Sequence, residues 1–212
     1  ENVSGRCADL LTSVNLDNEY EEEKRASVRL SLLDASGACV LEDEKAVALG
    51  AGENLTVRFT DTLKTPHLWS TDDPYLYTLR AEIVADGETV DRLDTVIGIR
   101  TVRVTREGMF LNGKKLSLEG ANRHQQYPHL GIAVSDAAHA REMRLLKESG
   151  FSLLRLCHYP QSPAVYDACD RLGIVVIECT PGWQWCLESG PFRTRAYRNI
   201  REMIRRDRNH PS

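Results

Sequence analysis

Long hydrophobic runs are missing from this sequence. No uninterrupted apolar stretch approaches the roughly 20 residues that a membrane-spanning helix needs. The opening Glu1-Asn2-Val3-Ser4-Gly5 has none of the basic-then-apolar pattern of a secretory signal. Paired Cys-x-x-Cys spacing is absent too. Cys7, Cys39, Cys157, Cys169, Cys179 and Cys186 stand apart, several of them inside apolar strand or helix patterns, and read as reduced structural thiols in preference to a zinc site. Nor is there a strong excess of one charge: the formal net charge is −4, with 42% hydrophobic and 27% charged residues, as in an ordinary chain able to bury a core.

That small net charge hides a split. Residues 1–101 carry 10 basic against 20 acidic residues, and residues 102–212 carry 17 against 11, as two domains with different surfaces would. The periodicity changes at the same place. From Ser27 to Thr101 the chain shows short alternating segments, Val28 to Leu32, Leu55 to Phe59, Leu76 to Ala81 and Asp94 to Gly98, with turn residues at Ala35-Ser36-Gly37 and Asp86-Gly87. This pattern predicts an antiparallel β-sandwich. Trp69 and Tyr77 read as core aromatics in preference to a sugar-binding surface, and the acidic run Glu19 to Glu23 reads as a solvated loop.

Beyond Thr101, Asn112-Gly113 between apolar runs marks a hairpin, because a type I′ turn needs positive φ at both central residues. Strands then alternate with helices. Leu116 to Glu119 is the first expected strand, and Ser135 caps a helix that runs to Ser149 and stops at Gly150. Leu153 to Leu156 is the second strand. Ser162 caps a helix that has Pro163 in its first position and ends at Gly173, and Ile174 to Ile177 is the third strand. Phe192, Ala196, Ile200, Met203 and Ile204 recur at helical spacing. The seven arginines between Arg193 and Arg208 fall mostly on the other faces and read as a solvated outer helix, not as a nucleic-acid surface. Strand–helix alternation of this kind builds a parallel sheet.

One stretch carries a stronger signal. Arg155-Leu156-Cys157-His158-Tyr159-Pro160, then Asp170-Arg171-Leu172-Gly173 and the apolar run Ile174 to Ile177, resembles the first signature of glycoside hydrolase family two, the β-galactosidases, β-glucuronidases and β-mannosidases. Ser152 stands where that signature usually has Asn, and Leu156 where it has a small residue. Trp69-Ser70-Thr71-Asp72-Asp73-Pro74-Tyr75-Leu76-Tyr77 resembles the motif closing the immunoglobulin-like domain of the same family, and Arg206 to Ser212 resembles the lead-in to the fourth barrel strand.

The resemblance implies an immunoglobulin-like sandwich over 1–101, followed over 102–212 by about three βα units of a (β/α)8 TIM barrel. It also implies a retaining exo-β-glycosidase of β-galactosidase-like type. Such an enzyme needs two carboxyl groups about 5–5.5 Å apart. Both are expected to follow Ser212, so no catalytic residue is assigned here and the chain alone is expected to be inactive.

Substrate contacts are expected from strand ends: His124 in Asn122-Arg123-His124, Arg155, His158 and Glu178. The usual Glu after that His is Gln125. Arg155 can hold a neighbouring carboxylate ionised, and His158 can donate to a sugar hydroxyl. For Glu178 a structural ion pair is an equal alternative. Cys157 is set aside as a nucleophile because neighbours on a strand point to opposite faces. Trp183 and Trp185 offer flat faces for stacking on pyranose rings or for packing on the barrel rim. Where the magnesium-binding branch of the family has Glu and His, this sequence has Gly182 and Gln184, so neither that metal site nor any cofactor is expected. The expected partner is a carbohydrate, with no membrane or nucleic acid, and the open barrel edge is expected to drive self-association. The rival reading is a non-catalytic carbohydrate-binding or scaffolding module.

Overall fold

A computed structural model describes residues 1–182 and 189–212. They divide into two compact units, one of Glu1–Leu68 with Tyr75–Ile99, the other of Trp69–Pro74 with Arg100–Ser212.

The first unit contains strands β1 (Cys7–Asp17), β2 (Lys24–Leu33), β3 (Cys39–Leu49), β4 (Asn54–Lys64), β5 (Tyr77–Ala85) and β6 (Glu88–Ile97). One antiparallel sheet has the order β3-β2-β5-β6, and β1 pairs with β4 in a second. Alternation drives the layering: Val28, Leu30 and Leu32 on β2 are at most 1% exposed. They meet Val57, Phe59 and Leu63 of β4 in two clusters that also take in Ala8, Tyr77 and Ile99. This is the core of an immunoglobulin-like sandwich. The Asp86-Gly87 turn has φ of 52° and 83°, the two-residue hairpin geometry that joins β5 to β6. Residues 18–23 form an irregular, mostly exposed connection. Strands β1 and β3 have no counterpart in the pattern read from the sequence. β3 carries Glu42-Asp43-Glu44-Lys45: Glu42 and Glu44 face Arg29 of β2 at 3.8 Å and 3.1 Å, while Lys45, on the other face, lies over the Phe59 ring and donates to the Arg58 carbonyl at 2.6 Å, so the strand holds charge on both faces.

The second unit opens with β7 (Val102–Thr105), β8 (Gly108–Leu111) and β9 (Lys114–Lys115). Asn112 and Gly113, at φ of 50° and 78°, make the expected turn. The Asn112 side chain accepts from the Thr101 amide at 3.0 Å and donates to the Trp69 carbonyl at 2.9 Å. Then come β10 (Gly120–Arg123), α1 (Asp136–Glu148), β11 (Leu153–Leu156), α2 (Pro163–Leu172), β12 (Val175–Ile177) and α3 (Gly190–Asp207). The strands form a parallel sheet in the order β10-β11-β12, as the strand–helix alternation predicts.

The helix ends follow the sequence signals. Ser135 Oγ accepts from the Ala138 amide and Ser162 Oγ from the Ala164 amide, while Gly173 ends α2 at φ 67°. The first strand does not lie where it is expected. Leu116 to Glu119 is irregular and the strand begins at Gly120, because pairing with β11 sets it: Gly120 lies opposite Leu153, and the Glu119 carbonyl accepts the Ser152 and Leu153 amides.

Met143, Leu154, Leu156, Val165, Tyr166, Ala168, Cys169 and Ile174 form the buried core between the helices and the sheet. Trp69 is 0% exposed and belongs to this unit, where its indole donates to the Asp170 carbonyl at 2.8 Å. Tyr77 is a core aromatic of the sandwich unit. The apolar stripe of α3 has no such cover among the described residues: Ile200 and Ile204 are exposed.

Candidate functional site

Two successive strand ends make the site. Along β11, Leu154 and Leu156 are buried in the helix-facing core, so Arg155 projects from the opposite side. Its partner across the ladder on β10 is Asn122, and Arg155 Nη1 lies 3.4 Å from Asn122 Oδ1. One residue past β10 stands His124; just past β11 stand Cys157 and His158, joined by a cis peptide. The His124 and His158 rings meet edge to face with centroids 5.4 Å apart, and the Tyr159 ring lies 6.2 Å from His124. Arg155 Nη1 donates to Cys157 Sγ at 3.0 Å, and that sulfur lies 3.4 Å from Asn122 Oδ1. Burial first, then the charges of Arg155 and His124, lower the His158 pKa, which keeps its imidazole neutral near pH 7.

Behind this surface Arg123 is 5% exposed and fixes the strand end from the helix side. Its guanidinium donates to Glu142 Oε1 at 3.0 Å and Oε2 at 2.6 Å, to Gln161 Oε1, and to His139 Nδ1 at 2.9 Å. Gln161 Nε2 returns a bond to the Arg123 carbonyl at 2.9 Å. Arginine has no acceptor, so His139 carries its proton on Nε2. Burial, followed by the Arg123 charge, lowers the His139 pKa. Gln125 spans the two strand ends: its amide donates to Tyr159 Oη at 3.1 Å and its Oε1 accepts the Ser162 amide at 2.7 Å.

The structure therefore brings His124, Arg155 and His158 together and does not bring Glu178 to them. Glu178 follows β12, but its carboxylate turns toward the helices, accepting from Tyr166 Oη of α2 at 2.5 Å with Arg206 of α3 at 3.6 Å. Burial lifts its pKa to about 7; the neighbouring Asp207 adds to the rise and the Tyr166 hydroxyl opposes it. Trp183, Gln184 and Trp185 lie outside the described residues.

Sequence reasoning missed Asn122 and set Cys157 aside. Asn122 stands two residues before His124, and that spacing was a signal for a shared face. The alternation argument applied to Cys157 does not reach it, because β11 ends at Leu156 and the thiol lies beside Arg155. The groups assembled are a guanidinium, a neutral imidazole, a second imidazole, a carboxamide and a thiol. Such a set can offer hydrogen bonds of fixed direction to hydroxyl groups.

Residues 102–212 match the family model described as glycosyl hydrolases family 2, TIM barrel domain, and residues 2–100 match that of glycosyl hydrolases family 2. A putative β-glucuronidase from Formosa agariphila is 34% identical over 99% of this chain, and a β-galactosidase from Bacteroides ovatus is 35% identical over 99%; in each the match spans 25% of the relative. The chain thus spans about a quarter of the length of these curated relatives. Among solved structures, a Bacteroides uniformis β-glucuronidase superposes with a TM-score of 0.94 at 30% identity, over 99% of this chain and 26% of that one. A structure of Bacteroides uniformis β-glucuronidase 2 covalently bound to cyclophellitol-6-carboxylate aziridine gives the same values.

Proposed function

Because the chain belongs to glycosyl hydrolase family 2, we propose that it serves a retaining exo-β-glycosidase of β-galactosidase-like type. In this reading it contributes the sandwich and the first part of the barrel wall, with the boundary near residue 101. The observation that carries the proposal is the meeting of His124, Arg155 and His158 at the C-terminal ends of parallel strands β10 and β11, the end of a TIM barrel where substrates bind. The aziridine held covalently by a relative supports a mechanism that passes through a covalent intermediate, and hence retention.

In this mechanism the chain's own residues bind and orient. Neutral His158 donates to a sugar hydroxyl, His124 flanks it, and Arg155 supplies a fixed positive charge. That charge favours ionisation of the nucleophilic carboxyl and strengthens as the transition state forms. The proton donor and nucleophile come from outside these 212 residues, so the chain alone turns over no glycoside. Glu178, held by Tyr166 and α3, supports the strand end; Trp183 is proposed as a stacking platform for the sugar ring.

In a catalytically complete protein containing this chain, Arg155→Ala and His158→Ala are each expected to lower kcat/KM by about 100-fold or more on a nitrophenyl β-glycoside. Wild-type kinetics in both variants, with the fold intact, would assign these residues to structure. Retained sugar binding without turnover in the complete wild-type protein would instead establish a non-catalytic carbohydrate-binding role.

A further inference from the structure

We propose that His124, Cys157 and His158 form a binding site for a zinc-like divalent cation. One ligand atom from each residue, two imidazole nitrogens and the Cys157 sulfur, lies within 4.8 Å of the others. Tetrahedral zinc with bonds of about 2.0–2.1 Å to nitrogen and about 2.3 Å to sulfur holds its donors about 3.5 Å apart, so modest side-chain rotation closes the triangle. The donors come from two strand ends tied by the β10–β11 ladder and by the bond from the Gln125 amide to Tyr159, so the backbone beneath them is already in place. Two imidazoles and a thiolate discriminate strongly. They suit zinc and its borderline neighbours and are poor ligands for magnesium or calcium, which take oxygen donors.

Binding is a ligand exchange without redox change. The Cys157 S–H proton leaves to solvent, one metal–sulfur and two metal–nitrogen bonds replace metal–water bonds, the displaced waters return to solvent, and one water remains in the fourth position. A cost is visible on the same sulfur. Arg155 Nη1 already donates to it at 3.0 Å, so the guanidinium must swing away and its charge opposes the incoming cation. That competition gives the site a signature that adventitious binding by surface histidines lacks: neutralising Arg155 tightens it. The cation also occupies the pocket proposed above for the sugar, so it acts as an inhibitor that excludes the glycoside. This last step alone rests on the proposed function.

The test is a titration of the 212-residue chain, reduced and free of oxygen, with Co2+ as the probe. We expect a thiolate-to-cobalt charge-transfer band that Zn2+ abolishes. Cys157→Ser should remove the band and weaken Zn2+ binding at least 10-fold, and His124→Ala, at an exposed position that leaves the core untouched, should weaken it comparably. Arg155→Gln should strengthen it several-fold, while Cys7→Ser and Cys39→Ser leave the band unchanged. No band at millimolar Co2+, a band that survives Cys157→Ser, or one lost only with Cys7 or Cys39 overturns the proposal. Adding methyl β-galactoside or methyl β-glucuronide separates the two readings. Displacement of Co2+ by either supports both. A band that depends on Cys157 but ignores both sugars leaves the cation site standing and counts against the sugar pocket.

Discussion

Among single residues, Arg123 constrains the site most. Its guanidinium makes four hydrogen bonds, to Glu142, Gln161 and His139, and its planar fork of donors fits those three directions at once. Arg123→Lys keeps the charge and loses the fork, leaving buried His139 and half-buried Glu142 short of partners. The expected loss is about 3 kcal/mol in urea unfolding; a loss near zero would show the network to be slack. The sequence exposed only part of this. Asn122-Arg123-His124 was readable as a motif, and His124 could be placed by it, but Arg123's partners lie 16 to 38 residues away, on α1 and before α2. Glu178 could be placed at a strand end, yet which way it turns depends on Tyr166 and Arg206, and no local pattern encodes that.

For whole elements, legibility followed how local the determining forces are. Caps and turns are settled within a few residues, which is why Ser135, Ser162, Gly173 and Asn112-Gly113 stand where the sequence puts them. β10 has little apolar character of its own and is set by pairing with β11, so alternation at Leu116 and Leu118 misplaced it by four residues. The junction of β12 and α3 has a property that only the assembled elements show. A carboxyl whose pKa rises on folding leaves the folded chain holding more protons than the unfolded one. The Glu178 contribution is therefore favourable below its ordinary value of 4.5 and is lost as pH rises through about 7. His210 acts in the same direction. Its bond to Asp170 at 2.5 Å raises its pKa, so its contribution is complete below 6.5 and is lost above that raised value. Thermal unfolding from pH 5 to 9 should show stability falling with pH. Glu178→Gln should flatten the lower part of the slope, and His210→Asn the upper part. An unchanged slope in Glu178→Gln would place the titration elsewhere.

For the whole molecule, the parallel sheet is the feature with open consequences. On β12, the Val176 amide finds the Ser212 carbonyl at 2.8 Å, but Ile177 is 39% exposed and the α3 stripe at Ile200 and Ile204 is exposed beside no described cover. Parallel strands are ordinarily covered on both faces, and uncovered edges recruit other chains. The 212-residue chain is accordingly expected to associate, seen as a scattering mass that rises with concentration, and Ile200→Lys with Ile204→Lys should reduce it. A constant monomer mass at high concentration would show that the edge is closed within one chain.

Trp69–Pro74 carries a different consequence. The chain enters the second unit for six residues, leaves it, and returns only at Arg100. Those six residues supply the indole bonded to Asp170, the carbonyl that takes Asn112, and the Thr71 carbonyl that accepts Lys147 at 2.8 Å. Thr71 also lies so close to Gly173 that a Cβ there would come within 2.5 Å of its oxygen. The barrel segment is thus not a removable cassette. A transplant cut at Arg100 would leave behind part of its own interior, so recombination or design that exchanges barrels between sandwich partners must carry this detached hexapeptide along or rebuild it.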